Sequence, residues 1–310
     1  MNQKNIEQRS LMIGCLWLFL MGISALTAYF ATHLEALFVD AYFTLITLTT
    51  ALLSIVISKI STKVSTRFPN GLFVLEPLYA FFQSLLTIIL LMVSLITVGG
   101  KAYQYFVYGH GHLLNIAPVI PYEIMMVILS LTLSYFYKHQ NKKIHNTSTL
   151  LSAETKSAMI DGIMSAGIGA AAFFILFISK NSPLSFLLYT GDSFITVIIV
   201  LFIIRVPLRI MKNALIEISG GLTQDQGIKS FIEGSIRSHL SNDFAINDCK
   251  VYKVGMSFKA CIAISSKKTH MIDTEKLAIY KNNILNDLSQ KLAFINIVFV
   301  YSNVGKNEKS

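Results

Sequence analysis

The sequence predicts an α-helical membrane protein with six transmembrane helices, followed by a small C-terminal α+β domain outside the bilayer. Three observations predict it. The 310 residues are 53% hydrophobic and only 14% charged, with a mean hydropathy of +0.58, whereas a soluble domain carries about 25% charged residues. Six separate apolar runs reach the length of about 20 residues that a hydrocarbon core requires. From about Gly220 onward the long runs stop and short amphipathic segments begin.

The six runs cover approximately 10–32, 35–58, 76–100, 119–137, 153–179 and 186–208. No small-residue cleavage site follows the first, so it reads as a retained span rather than a signal peptide. Lys59, Lys63 and Arg67 follow the second run, Lys138, Lys142 and Lys143 the fourth, and Arg205, Arg209 and Lys212 the sixth. The intervening loops carry mainly Lys101 and Lys180. Basic and neutral loops therefore alternate, which predicts both termini in the cytoplasm and, in a bacterial cell, location in the inner membrane.

Beyond the sixth span, GGLTQDQG reads as a linker and helix start, and IKSFIEGSIRSHL as an amphipathic helix. DCKVYKVG and SFKACIAIS are short β-like runs joined by a turn containing glycine. MIDTEKLAIYKNNILNDLSQKL has helical period, with Leu277, Ile284, Leu288 and Leu292 on one side, and AFINIVFVY is a last strand. The order αββαβ predicts a ferredoxin-like α+β domain. The expected organisation is a transport-type membrane domain over 1–212, a linker over 213–221, a cytoplasmic domain over 222–305 and a tail over 306–310.

Several function classes are excluded or disfavoured. The net charge of +9 resides in loops and tail, and no basic-aromatic stripe of the RNA-binding type is present. Cys15, Cys249 and Cys261 form neither a CxxC pair nor an even disulfide framework. No HExxH, nucleophile elbow or glycine-rich phosphate loop is found, so an enzyme is not expected.

Two acids stand inside apolar runs, Asp40 in EALFVDAYFTLITLTTALLSIVI and Asp161 in SAMIDGIMSAGIGAAAFFILFI. An acid at membrane depth costs several kcal/mol, so it faces a partner, a cavity or an ion path. Two on separate spans suggest a cation site inside a helix bundle. Residues four apart share a helix face, so Asp40 points with Thr44, and Ser157 with Asp161. Two such helices would offer four oxygen groups, with two carboxylates to balance a divalent charge. An all-oxygen set suits Mn²⁺ or Mg²⁺, while Zn²⁺ and Fe²⁺ stay open because Asp binds them too. The competing reading of Thr44 and Ser157 is helix packing, a common use of small hydroxyl residues in membranes.

Topology and motifs together resemble the cation diffusion facilitator family. ALFVDAYFT resembles its second-span motif, and RFPNGLFVLEPLYAFFQS its third-span signature through Phe68, Gly71, Glu76, Gln83 and Ser84. AETKSAMIDGIMS resembles the fifth-span segment in which a ligand precedes an Asp by four residues, and TGDSFITVIIVLFI resembles the sixth span, with Asp192 near its outer end. The resemblance implies a homodimeric secondary transporter that exports a divalent cation in exchange for protons, with the cation as substrate and no resident cofactor. The chain departs from the pattern at Thr44 and Ser157, where the family usually carries Asp or His, and its C-terminal domain holds only His239 and His270. With the usual histidine absent, proton exchange would fall to Asp40 or Asp161. The same departures motivate an alternative, a non-transporting relative with a regulatory or heteromeric role.

Other polar residues are accessory candidates. Glu154 lies seven residues before Asp161 and reads first as a solvated acid at a helix start, second as a ligand at the cytoplasmic mouth. Glu76, just before Pro77, reads as a helix N-terminal acid favoured by the dipole. Gln83 reads as an interhelical hydrogen-bond partner, and Asp192 as either an outer vestibule acid or a helix cap. His110 and His112 of the GHGH loop read as exposed rather than metal-bound, His33 as interfacial, and His139 and His145 as solvated. The small residues Gly162, Ser165, Ala166, Gly167, Gly169 and Ala170 are expected to bring the fifth span against the second.

Overall fold

The computed structural model describes residues 3–32, 35–109, 119–178, 186–240, 244–266 and 274–301; side chains at 31–43, 171, 192, 195 and 301 lie outside that description. Its elements in chain order are α1 (Gln3–Thr32), α2 (Glu35–Ile60), α3 (Leu75–Tyr108), α4 (Val119–Lys143), α5 (Thr149–Leu176), α6 (Leu187–Ile203), α7 (Arg205–Ile218), α8 (Gln226–Leu240), β1 (Phe244–Val254), β2 (Ser257–Ser266), α9 (Thr274–Ser289) and β3 (Phe294–Tyr301).

Among the described residues, five helices are long and apolar enough to cross a membrane: Gln3–Phe30, Leu75–Tyr108, Val119–Lys143, Thr149–Leu176 and Leu187–Ile218. In α2 the part whose side chains are described, Thr44–Ile60, is apolar as well. The last span divides. Helix α6 stops at Ile203 and α7 begins at Arg205, because Pro207 lacks the N–H that would continue the helical ladder.

Local chemistry sets the α4–α5 hairpin. The Asn141 side chain brackets Ser148, donating to its carbonyl and accepting from its N–H, both at 3.3 Å. The Ser148 hydroxyl accepts from the Leu151 N–H at 3.0 Å and caps α5. Its start at Thr149 lies four residues before the expected 153. Two of the small residues of α5 face a different neighbour than expected. A methyl on Gly162 would meet Leu131 at 3.0 Å, and one on Gly169 would meet Glu123 at 3.2 Å. These glycines, seven apart on one face, seat α4 rather than α2. Helix α1 packs on α2 and α4, and Gly14 leaves the space that the Tyr137 phenol fills.

The C-terminal region carries a three-stranded sheet in the order β1-β2-β3. Strands β1 and β2 are antiparallel, and β2 and β3 parallel through the α9 crossover. Asp225 caps α8 by accepting from the N–H groups of Gly227 and Ile228 at 2.9 and 3.1 Å. Ile232, Ile236 and Leu240 of α8, Ile284 and Leu288 of α9, and Ile262 and Ile264 of β2 form one buried core. The expected stripe Leu277, Ile284, Leu288 and Leu292 is buried in it.

The β1–β2 turn inserts into the helical region. Gly255 adopts φ +60°, and a Cβ there would run into the Phe73 carbonyl at 2.6 Å and Glu76 at 2.8 Å, so the turn needs glycine twice over. Met256 behind it is 1% exposed and belongs to the core of α1, α3, α4 and α5. Phe294 of β3 packs on Phe73 with ring centroids 4.8 Å apart.

Candidate cation site

On α5 the candidate site residues run Glu154, Ser157, Asp161. Glu154 is 2% exposed, which corrects the reading of a solvated helix-start acid. The cause is the early start of α5: with Thr149 as its first residue, Glu154 falls in the second turn, inside the bundle. Tyr79 of α3 donates to the Glu154 carboxylate at 2.5 Å, and the same hydroxyl lies 3.1 Å from the Thr50 carbonyl oxygen of α2. Gln83 and Ser54 also face this carboxylate, although the Gln83 amide nitrogen reaches no hydrogen bond of good geometry. Tyr137 of α4 and Cys15 of α1 lie within its electrostatic reach. Groups from α1 through α5 therefore converge on one carboxyl. Sequence patterning did not single out Tyr79 and Tyr137; the i, i+4 pair Tyr79 and Gln83 was the available signal.

The four oxygen ligands expected on α2 and α5 are less fully drawn. Thr44 is 8% exposed, with its methyl 3.7 Å from the space beside Gly22 of α1. Ser157 and Asp161 are half-buried on α5, which adjoins α2. The side chains of Asp40 on α2 and Asp192 on α6 lie outside the described residues, as do His33, His110, His112 and His270. Glu123 of α4, not singled out in the sequence, is a further buried acid, packed on Gly169 of α5.

Glu76 lies in the first turn of α3, fully buried, and it accepts a 2.7 Å charge-assisted hydrogen bond from Lys4. Lys4, 3% exposed, also pairs with Glu7 at 2.5 Å and approaches the Met256 sulfur at 3.7 Å. Glu7 accepts in addition from Ser58 of α2. This cluster ties α1, α2, α3 and the β1–β2 turn together. A second tie lies alongside: Lys253 of β1 donates to Glu217 of α7 at 3.1 Å and to Thr149 of α5 at 3.0 Å, while Glu217 accepts from the Gly255 N–H at 3.1 Å.

Among the described residues no three His, Cys, Asp or Glu side chains gather as a metal-binding group. In the C-terminal region, His239 Nδ1 lies 2.8 Å from the Ser235 carbonyl oxygen on its own helix. Cys249 pairs with Ile262 and Cys261 with Lys250 across the ladder, which puts the two thiols on opposite faces of the sheet. Burial, then the nearby Glu233 and Asp248, push the Cys249 thiol up to about 11, so it is a poor source of a ligating thiolate.

A comparison with characterised proteins gave no match. The model of the cation efflux transmembrane domain matches residues 11–218, about two thirds of the chain. Together with the long apolar helices this makes the protein an integral membrane protein with a cation-transport domain. The protein belongs to the cation efflux, or cation diffusion facilitator, family of metal-cation transporters.

Proposed function

We propose that the protein exports a divalent metal cation from the cytoplasm through a site between α2 and α5, formed by Asp40, Thr44, Ser157 and Asp161. The observation that carries this reading is Asp161: a half-buried acid inside an apolar helix matched by the family, one turn beyond Ser157 and on a helix adjoining α2. Glu154, two turns from Asp161 on the side of the C-terminal domain, adds a carboxyl on the same helix.

In this reading α2 crosses the membrane as a sixth span and both termini lie in the cytoplasm. Export is coupled to inward proton movement. Ser157 stands where the family resemblance leads one to expect a histidine, so carboxyl groups carry the proton. Two carboxylates near one cation bind it or bind protons, not both at full strength, which is the exchange an antiporter needs. The oxygen-only ligand set favours Mn²⁺ or Mg²⁺ over Zn²⁺, with Fe²⁺ between. The protein works as a homodimer. Membership of a transporter family does not favour the alternative of a non-transporting relative.

Purified protein in proton-loaded vesicles tests this. Addition of Mn²⁺, Fe²⁺, Zn²⁺ or Mg²⁺ outside is expected to give metal uptake and proton efflux, lost in Asp161→Asn. Unchanged flux in that variant would remove the site from α5.

A further inference from the structure

A cavity of about 250 Å³ opens where α5, α7 and the segment after α7 meet β1, at the end of the bundle that carries the C-terminal domain. Lys156 and Lys253 line it, and Arg209 lies within electrostatic reach of Lys156. Two carboxylates also line it, Glu217 and Asp225. Both are engaged: Glu217 by Lys253 and the Gly255 N–H, Asp225 by the N-terminus of α8.

Lys156 is thus left with a shared carboxylate, and Arg209 stands exposed near it. Lys156 is half-buried and, among the described residues, makes no hydrogen bond and no ion pair. Lys253 and Arg209 repel it, and the carboxylate that attracts it, Glu217, is already engaged by Lys253. Withdrawing an ammonium from water with only a shared counter-charge is unfavourable. A second anion between Lys156 and Arg209 removes both penalties.

We propose that this cavity binds a phosphate-bearing anion, supplied as the headgroup of an acidic phospholipid. Lys and Arg together offer the charge-assisted donors that a phosphate oxyanion takes. The lipid source follows from what lies next to the cavity. An open groove of about 390 Å³, lined by Leu208, Met211, Leu215 and Ile216 of α7, shares Ile216 with it. Acyl chain and headgroup would lie on these two surfaces side by side. The position fits a membrane interface, where basic pockets between helices take acidic headgroups. Lys156 directly precedes Ser157, so the lipid would contact the same helix that carries Asp161.

Native mass spectrometry of the full-length protein in detergent tests the proposal with three probes: phosphatidylglycerol, phosphatidylcholine and inorganic phosphate. Phosphatidylglycerol is expected to stay bound, and phosphatidylcholine and phosphate at equal concentration are not. Lys156→Gln should weaken phosphatidylglycerol about tenfold, the worth of one charge-assisted hydrogen bond, and Lys156→Arg should retain it. Arg209→Gln, at an exposed position, should weaken it as well and serves if Lys156→Gln does not fold. Equal retention of phosphatidylglycerol in wild type and both Gln variants overturns the site. Lys156-dependent binding of inorganic phosphate without phosphatidylglycerol overturns the lipid source.

Discussion

Tyr79 of α3 donates a 2.5 Å hydrogen bond to Glu154 of α5, and both side chains are buried among the first five helices. The bond joins the helix with the family's third-span signature to the helix that bears Asp161. It satisfies one lone pair of a buried carboxyl that Gln83 and Ser54 also face. Tyr79→Phe is expected to lower thermal stability by about 1–3 kcal/mol, the cost of stranding a buried acceptor. Thermal unfolding of the detergent-solubilised variant measures it. An unchanged melting temperature would mean that Glu154 finds another donor.

Asp161→Asn is expected to abolish vesicle transport while leaving membrane insertion and the melting temperature near wild type. The change removes charge with almost no change of shape. Asp40→Asn is expected to do the same. Full flux in either variant would place the transported ion elsewhere.

Thr44→Asp combined with Ser157→His is expected to shift preference towards Zn²⁺, since imidazole suits Zn²⁺ better than Mn²⁺ or Mg²⁺. Competition flux assays with paired metals read the shift. The same ranking in variant and wild type would show that positions 44 and 157 do not reach the ion.

Lys4→Met is expected to destabilise the protein by about 3–5 kcal/mol, because it strands Glu7 and Glu76 as buried carboxylates. Adding Glu7→Gln and Glu76→Gln should recover much of that loss, as neutral groups tolerate burial better. Chemical or thermal unfolding of the single and triple variants compares them. A harmless Lys4→Met would show that the carboxylates relax into water.

The C-terminal domain alone, residues 222–305, is expected to fold without metal and to bind Zn²⁺ weakly. Its core is its own, built from α8, α9 and the sheet. Its thiols lie on opposite faces, and Cys249 holds its proton up to about pH 11. Calorimetry checks this. A tight stoichiometric Zn²⁺ isotherm, lost in Cys249→Ser or His270→Ala, would reveal a metal site formed by residues the structure does not bring together.

The sequence by itself determined the class of the protein: apolar runs of spanning length, basic loops between alternate runs, and the switch after Gly220 to segments of helix and strand period. These are local properties, carried by the side chains of each segment, so they survive without knowledge of neighbours. It also determined that Asp40 and Asp161 stand in apolar surroundings. Only the tertiary structure decided what surrounds an acid. Glu154 changed from a solvated residue to a buried one because the Asn141–Ser148 cap starts α5 four residues early. Glu76 kept its place at a helix start, and its partner proved to be Lys4, from a helix 72 residues away in sequence. Gly162 and Gly169 of α5 lie against α4, because close approach depends on which helix presents a matching surface. The tie between Met256 and the helical core was likewise invisible in sequence, where a Gly-Met turn between strands carries no mark of its partner. Partners across long separations are chosen by packing, and packing belongs to the whole chain rather than to any segment of it.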